Sequence, residues 1–84
     1  MQVTVYSLPN CVQCNQTKKV FTTLGVEYNE VMLDENPEKA AEFMDKGYKQ
    51  APIVTAGGEI WSGFRLERIQ GVALQIRADN AKAH

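Results

Sequence analysis

The sequence predicts a compact α/β domain in which strands and helices alternate before a hairpin and a last helix close the chain. Three observations carry that reading. Period-two alternation at Val3-Thr4-Val5-Tyr6 gives way at once to helical spacing, Gly25 and Gly47 each end a helix-like run, and two short apolar runs flank Ala56-Gly57-Gly58. The predicted order is β-α-β-α-β-β-α.

Val3 to Ser7 reads as a strand leading into Pro9-Asn10. The following helix runs from Val12 to Leu24, with Val20, Phe21 and Leu24 on its apolar face and Gly25 supplying the left-handed residue that commonly ends a helix. Glu27 to Leu33 resembles a second strand. Asn36 is then an N-cap candidate with Pro37 at the first helical position, and Ala40, Ala41, Phe43 and Met44 form the thin apolar face of a helix ending near Gly47. Ile53-Val54-Thr55 and Glu59-Ile60-Trp61 should pair antiparallel across the glycine-containing linker. From about Arg65, Leu66, Ile69, Val72, Ala73 and Ile76 recur at helical spacing, and the polar segment from Arg77 to His84 reads as frayed. The expected organisation is one domain over residues 1–78 with a flexible polar tail over 79–84.

The 84 residues, 44% of them hydrophobic, suffice for one small core. A net charge of −1 leaves no electrostatic footprint for nucleic acid, and no apolar run approaches the roughly 20 residues that span a bilayer. The N-terminus enters a strand directly, with no secretory pattern, so the expected location is cytoplasmic. A monomer is expected.

The chain has only two cysteines, in Cys11-Val12-Gln13-Cys14, at a strand-to-helix turn. Unpaired N–H groups in a helix's first turn and the aligned peptide dipoles stabilise an anion there, so a thiolate at Cys11 is favoured over the ordinary pKa of about 8.5. Cys14 lies three residues on, along the same helical face but deeper, where its sulfur reaches back to Cys11. Cys11 is therefore assigned as attacking nucleophile and Cys14 as the resolving thiol. Two other readings stand beside this one. The pair could be half of a zinc site, although closed sites take four ligands and the chain offers two cysteines and His84; or the two thiols could simply be buried. In a reducing compartment, redox exchange suits the spacing best.

The element order, with the cysteine pair after the first strand and Pro52 before the third, resembles the thioredoxin fold in its minimal glutaredoxin-like form: a four-stranded mixed sheet with three helices. Within that fold the bond before the proline matching Pro52 is cis. The resemblance implies that Ala51 offers its backbone to an extended substrate segment while the Pro52 ring shields the thiols from metals. More specifically, Cys11-Val12-Gln13-Cys14, Gln50-Ala51-Pro52 and Trp61-Ser62-Gly63-Phe64-Arg65 together resemble the NrdH-redoxin family, across nearly the whole chain. That resemblance implies a dithiol carrier of electrons from NADPH-dependent thioredoxin reductase to the large subunit of class Ib ribonucleotide reductase. No bound cofactor or metal is implied, and NADPH enters only through the reductase. Val12, Gln13, Ala51, Pro52, Trp61, Ser62, Gly63, Phe64 and Arg65 are the implied partner-contacting residues.

Ordinary glutaredoxins hold the glutathione amino group with acidic residues at the positions matching Arg65 and Leu66. A cation and an alkyl group cannot do this, which disfavours the rival reading as a glutathione-dependent glutaredoxin. The chain departs from the family pattern at Leu8, where a basic residue is usual, and at Leu66, where proline is usual. Lys18 and Lys19 are then the alternative cations for the thiolate. Arg65 at a helix N-terminus is electrostatically unfavourable and is expected to meet an acidic partner or one of the chain's own carboxylates. Trp61 and Phe64 each admit two roles, core filler or partner anchor. The charged residues of the second helix form a solvated face, and His84 has no evident role.

Overall fold

The computed structural model describes residues 1–82. Its elements are β1 (Val3–Ser7), α1 (Val12–Thr23), β2 (Asn29–Met32), a 3-10 turn (Leu33–Glu35), α2 (Pro37–Asp45), β3 (Ile53–Ala56), β4 (Glu59–Ser62) and α3 (Leu66–Lys82). The strands form one mixed sheet in the order β2-β1-β3-β4. This is the four-stranded, three-helix thioredoxin fold that the resemblance implies.

The register determines where function can reside. β1 and β2 run parallel, whereas β3 is antiparallel to β1, with Tyr6 opposite Ile53, and β4 is antiparallel to β3, with Ile53 opposite Ser62. The end of β1, the start of β3 and the end of β4 therefore lie side by side. The segments leaving those ends, at 8–11, 50–52 and 62–65, converge on one rim of the sheet.

Side-chain alternation divides the core into two layers. Val5, Val54 and Trp61 stand opposite one another across three strands and are all buried. They pack with Phe21 of α1 and Ile69, Val72 and Ala73 of α3, while Val20, Leu24 and Ile76 close the margin. On the other face Leu33, Phe43 and Ile53 form a smaller cluster with Tyr6, Ala40, Tyr48 and Ile60. There Tyr6 and Phe43 meet edge to face at 4.8 Å, a geometry that suits the quadrupoles of two rings.

Helix α1 stops as its glycine predicts. Gly25 is left-handed at φ +74°, and Val26 N–H donates to Phe21 O at 2.9 Å while Gly25 N–H donates to Thr22 O at 3.0 Å. These two bonds satisfy carbonyls that the ending helix would otherwise leave unpaired. The same pair closes α2, from Tyr48 to Phe43 O and from Gly47 to Met44 O.

Several expectations are corrected. Asn36 occupies the N-cap position of α2, but its side chain does not cap; its Nδ2 donates to Met32 O at 2.8 Å, closing the 3-10 turn instead. β2 is shorter than Glu27–Leu33, because Leu33 has entered that turn. Ala41 and Met44 are exposed, since one buried ring, Phe43, already fills the shallow space over the α2 face of the sheet. Leu66, the first residue of α3, is 43% exposed and is not part of the core cluster. Residues 79–82, expected within the tail, continue α3, and a Gln75–Asp79 hydrogen bond one turn apart supports them at 3.0 Å. The rest of that tail, with His84, lies outside the described residues. Among the described residues no helix is long and apolar enough to cross a membrane.

Candidate functional site

Cys11 and Cys14 are joined as a disulfide on the converging rim. Asn10, left-handed at φ 58°, turns the chain from β1 into α1, a conformation that asparagine adopts more readily than most residues. Cys11 is the N-cap of α1, in extended conformation, and its Sγ accepts a hydrogen bond from Cys14 N–H at 3.1 Å. A sulfur thus takes the place that a serine or aspartate oxygen fills at an ordinary helix start. Cys11 is partly exposed, whereas Cys14 is 1% exposed. Of the two sulfurs, only the first is open to an incoming disulfide.

Pro52 follows a cis bond and is buried beside this turn, and the Ala51 carbonyl oxygen lies 3.8 Å from Cys11 Sγ. The third wall is the loop before α3. Phe64 N–H donates to Gln13 Oε1 at 2.9 Å, Gly63 N–H donates to Pro52 O at 2.8 Å, and Ser62 Oγ donates to Gln50 O at 2.8 Å. Gln13, the third residue of the cysteine motif, thereby ties the redox turn to the loop, while Val12 stands 70% exposed. All three motifs read from the sequence meet here.

Trp61 does not line this surface. Its place opposite Val54 turns the ring toward α1 and α3, and at 3% exposure it fills the core rather than anchoring a partner. Phe64 is half-buried and also packs against that core. Arg65 is exposed and has no ion pair among the described residues; its Nε donates to Ser62 O at 3.3 Å.

Two residues escaped the sequence reading as site components: Asn10, for which the Pro-Asn turn signal was available, and Gln50, whose part in lacing the loop depends on pairing across the sheet. Lys18, expected as a substitute cation, is instead bonded to Glu30 of β2 at 2.6 Å. That hydrogen bond holds the Glu30 carboxyl below its ordinary range. Leu8 is 41% exposed and supplies no charge. The hydrogen-bond support seen at Cys11 Sγ comes from one backbone amide, that of Cys14. Among the described residues no group of three or more His, Cys, Asp or Glu side chains is placed to share a metal ion.

Gly63 is buried at φ +83°, and a Cβ there would stand 3.3 Å from Gln13 Oε1 and 3.7 Å from Gln50 Oε1. Both the left-handed backbone and the closeness of these amides require glycine. Gly63→Ala is expected to lower stability by about 1–3 kcal/mol, seen as an earlier urea midpoint; an unchanged midpoint would contradict the lacing.

Comparison with known proteins agrees with this geometry. A family model described as glutaredoxin matches residues 3–61. The glutaredoxin-like protein NrdH of Salmonella typhimurium is 38% identical over 81 residues, which cover 96% of this chain and 100% of that protein. The NrdH of Lactococcus lactis subsp. cremoris is 37% identical over 71 residues, 84% of this chain and 99% of its own. Among solved structures, NrdH-redoxin from Escherichia coli, a glutaredoxin-like protein described as having a thioredoxin-like activity profile, superposes with a TM-score of 0.81 at 37% identity. That match covers 83% of this chain and 92% of the other. The chain belongs to the glutaredoxin family, in its NrdH-redoxin branch, and is a glutaredoxin-like thiol redox protein.

Proposed function

We propose that the protein is a dithiol electron carrier that reduces a protein disulfide, that of the class Ib ribonucleotide reductase large subunit, and is itself re-reduced in the cytoplasm by NADPH-dependent thioredoxin reductase. The observation that carries this reading is the asymmetry of the two sulfurs: Cys11 is partly exposed and bonded by a first-turn amide, and Cys14 is buried behind it.

In the reduced protein Cys11 is the thiolate. It attacks one sulfur of the substrate disulfide, forms a mixed disulfide and expels the other substrate sulfur as a thiolate, which takes up a proton. Cys14 then loses its proton and attacks Cys11 Sγ. The second substrate thiol leaves, and the Cys11–Cys14 disulfide carries the oxidation. Two electrons have passed to the substrate. A reductase dithiol reverses the sequence, and Ala51 and Pro52 form the wall against which an extended segment of either partner lies.

The choice of reductant rests on Arg65 and Leu66. Glutathione's ammonium would approach a guanidinium and an alkyl side chain, so its burial would go uncompensated. The thioredoxin-like profile of the Escherichia coli relative supports the same choice.

The test follows NADPH consumption with insulin disulfides as acceptor, supplying either thioredoxin reductase or glutathione with glutathione reductase. Turnover is expected with the first system and not with the second. Turnover only with glutathione would overturn the reading.

A further inference from the structure

Arg65 sits where electrostatics argues against a cation. It directly precedes α3, and its carbonyl accepts Ile69 N–H at 3.1 Å, so the positive end of that helix dipole faces a positive side chain. The chain's own carboxylates do not compensate. One turn later Arg68 pairs with Glu59 at 3.1 Å, but no described carboxylate lies within ion-pairing distance of Arg65. Of the two roles its sequence position allows, the intramolecular one is therefore excluded among the described residues.

The side chain is nevertheless held. Its Nε is tethered to Ser62 O at 3.3 Å, while no described residue accepts a hydrogen bond from its Nη groups. The edge left open is the fork that matches a carboxylate. The tether also reduces the rotamer freedom that docking would otherwise cost. Ser62 itself is bonded to Gln50 O, and the adjoining Phe64 amide is bonded to Gln13, so Arg65 stands on the loop laced to both other walls of the redox centre. Val12 and Leu66, both exposed, are uncharged, and the exposed Glu67 in the first turn of α3 makes no ion pair with Arg65.

We propose that Arg65 is a specificity determinant that reads a carboxylate on the substrate: an acidic residue or chain terminus within a few positions of the attacked cysteine. The partner is thus an acidic, disulfide-bearing peptide segment of a protein. This deepens the proposed function and rests on dithiol exchange at Cys11 and Cys14. The reaction is the one already given, with the carboxylate contact made before attack and released with the reduced product.

The experiment uses protein reduced with dithiothreitol and then freed of it, mixed with peptides that carry one internal disulfide flanked by Asp, Asn or Lys on either side in turn. Reduction is followed by quenched chromatography. At low salt the Asp peptide on one flank should be reduced about two- to five-fold faster than its Asn twin, and the Lys peptide more slowly still. The ratio should fall toward one near 1 M salt, where the screening length is about 3 Å. Arg65→Gln should bring the Asp-to-Asn ratio close to one at low salt, and Arg65→Lys should keep part of it. Because each ratio is taken within one variant, a general loss of activity does not move it. An equal ratio in wild type and Arg65→Gln, or reduction of every peptide at one rate by the wild type, would overturn the role of Arg65 while leaving exchange standing. Failure to reduce any peptide would overturn both.

Discussion

Cys11→Ser is expected to abolish disulfide reduction, with a loss of at least about a thousandfold, because a serine hydroxyl at the N-cap of α1 stays protonated and replaces the more accessible of the two cysteine sulfurs. Cys14→Ser should behave differently. With Cys11 intact the first attack proceeds, but nothing can displace the substrate from the mixed disulfide. Incubated with a disulfide-bearing partner, Cys14→Ser should appear on a non-reducing gel as a covalent adduct that dithiothreitol releases, and Cys11→Ser should not. The opposite pattern would reverse the two roles. The expectation rests on burial as much as on sequence order, since Cys14 at 1% exposure cannot meet a protein disulfide without opening the turn.

Phe21→Ala is expected to cost about 3–5 kcal/mol, a large share of the roughly 5–15 kcal/mol that holds a domain together. Phe21 is fully buried, joins α1 to both the sheet and α3, and its carbonyl receives the Val26 amide that closes the helix. Removing the ring leaves a cavity that β1, β3 and α3 cannot fill without breaking the register that gathers the redox rim. Urea unfolding measures the loss. Leu74→Ala, at an α3 residue 65% exposed, is the control and should change stability by less than about 0.5 kcal/mol. Equal effects at the two positions would contradict the assignment of the core.

Much of this architecture was legible in local signals, and what was not depended on distant pairing. Gly25 and Gly47 gave the helix ends because a left-handed residue is a property of the residue itself. The Gly57-Gly58 hairpin was readable for the same reason. The placement of Cys11 at a helix start needed only the change of period after Ser7. Trp61 was ambiguous from sequence because a strand's two faces cannot be told apart until its partner is known; Val54 opposite it decides for the core. Met44, Ala41 and Leu66 were misplaced because an apolar residue at helical spacing faces inward only where the sheet beneath has room. Asn36 stands at the N-cap, but with its Nδ2 donating back to the Met32 carbonyl its side-chain oxygen makes no bond to the first turn of α2. The cis bond before Pro52 came from family resemblance, as nothing in Ala51-Pro52 itself encodes it. The lacing of Gln13 to Phe64 spans 51 residues and could be read only from the folded chain.

The most direct test of the account is the pH dependence of alkylation of the reduced protein by iodoacetamide, read at Cys11 by mass spectrometry. Because Cys14 N–H already points at this sulfur, the account predicts thiolate reactivity rising with a midpoint clearly below the value of about 8.5 for a free cysteine, and Cys14 remaining unmodified while the fold is intact. A midpoint at or above that value, or preferential labelling of Cys14, would contradict it.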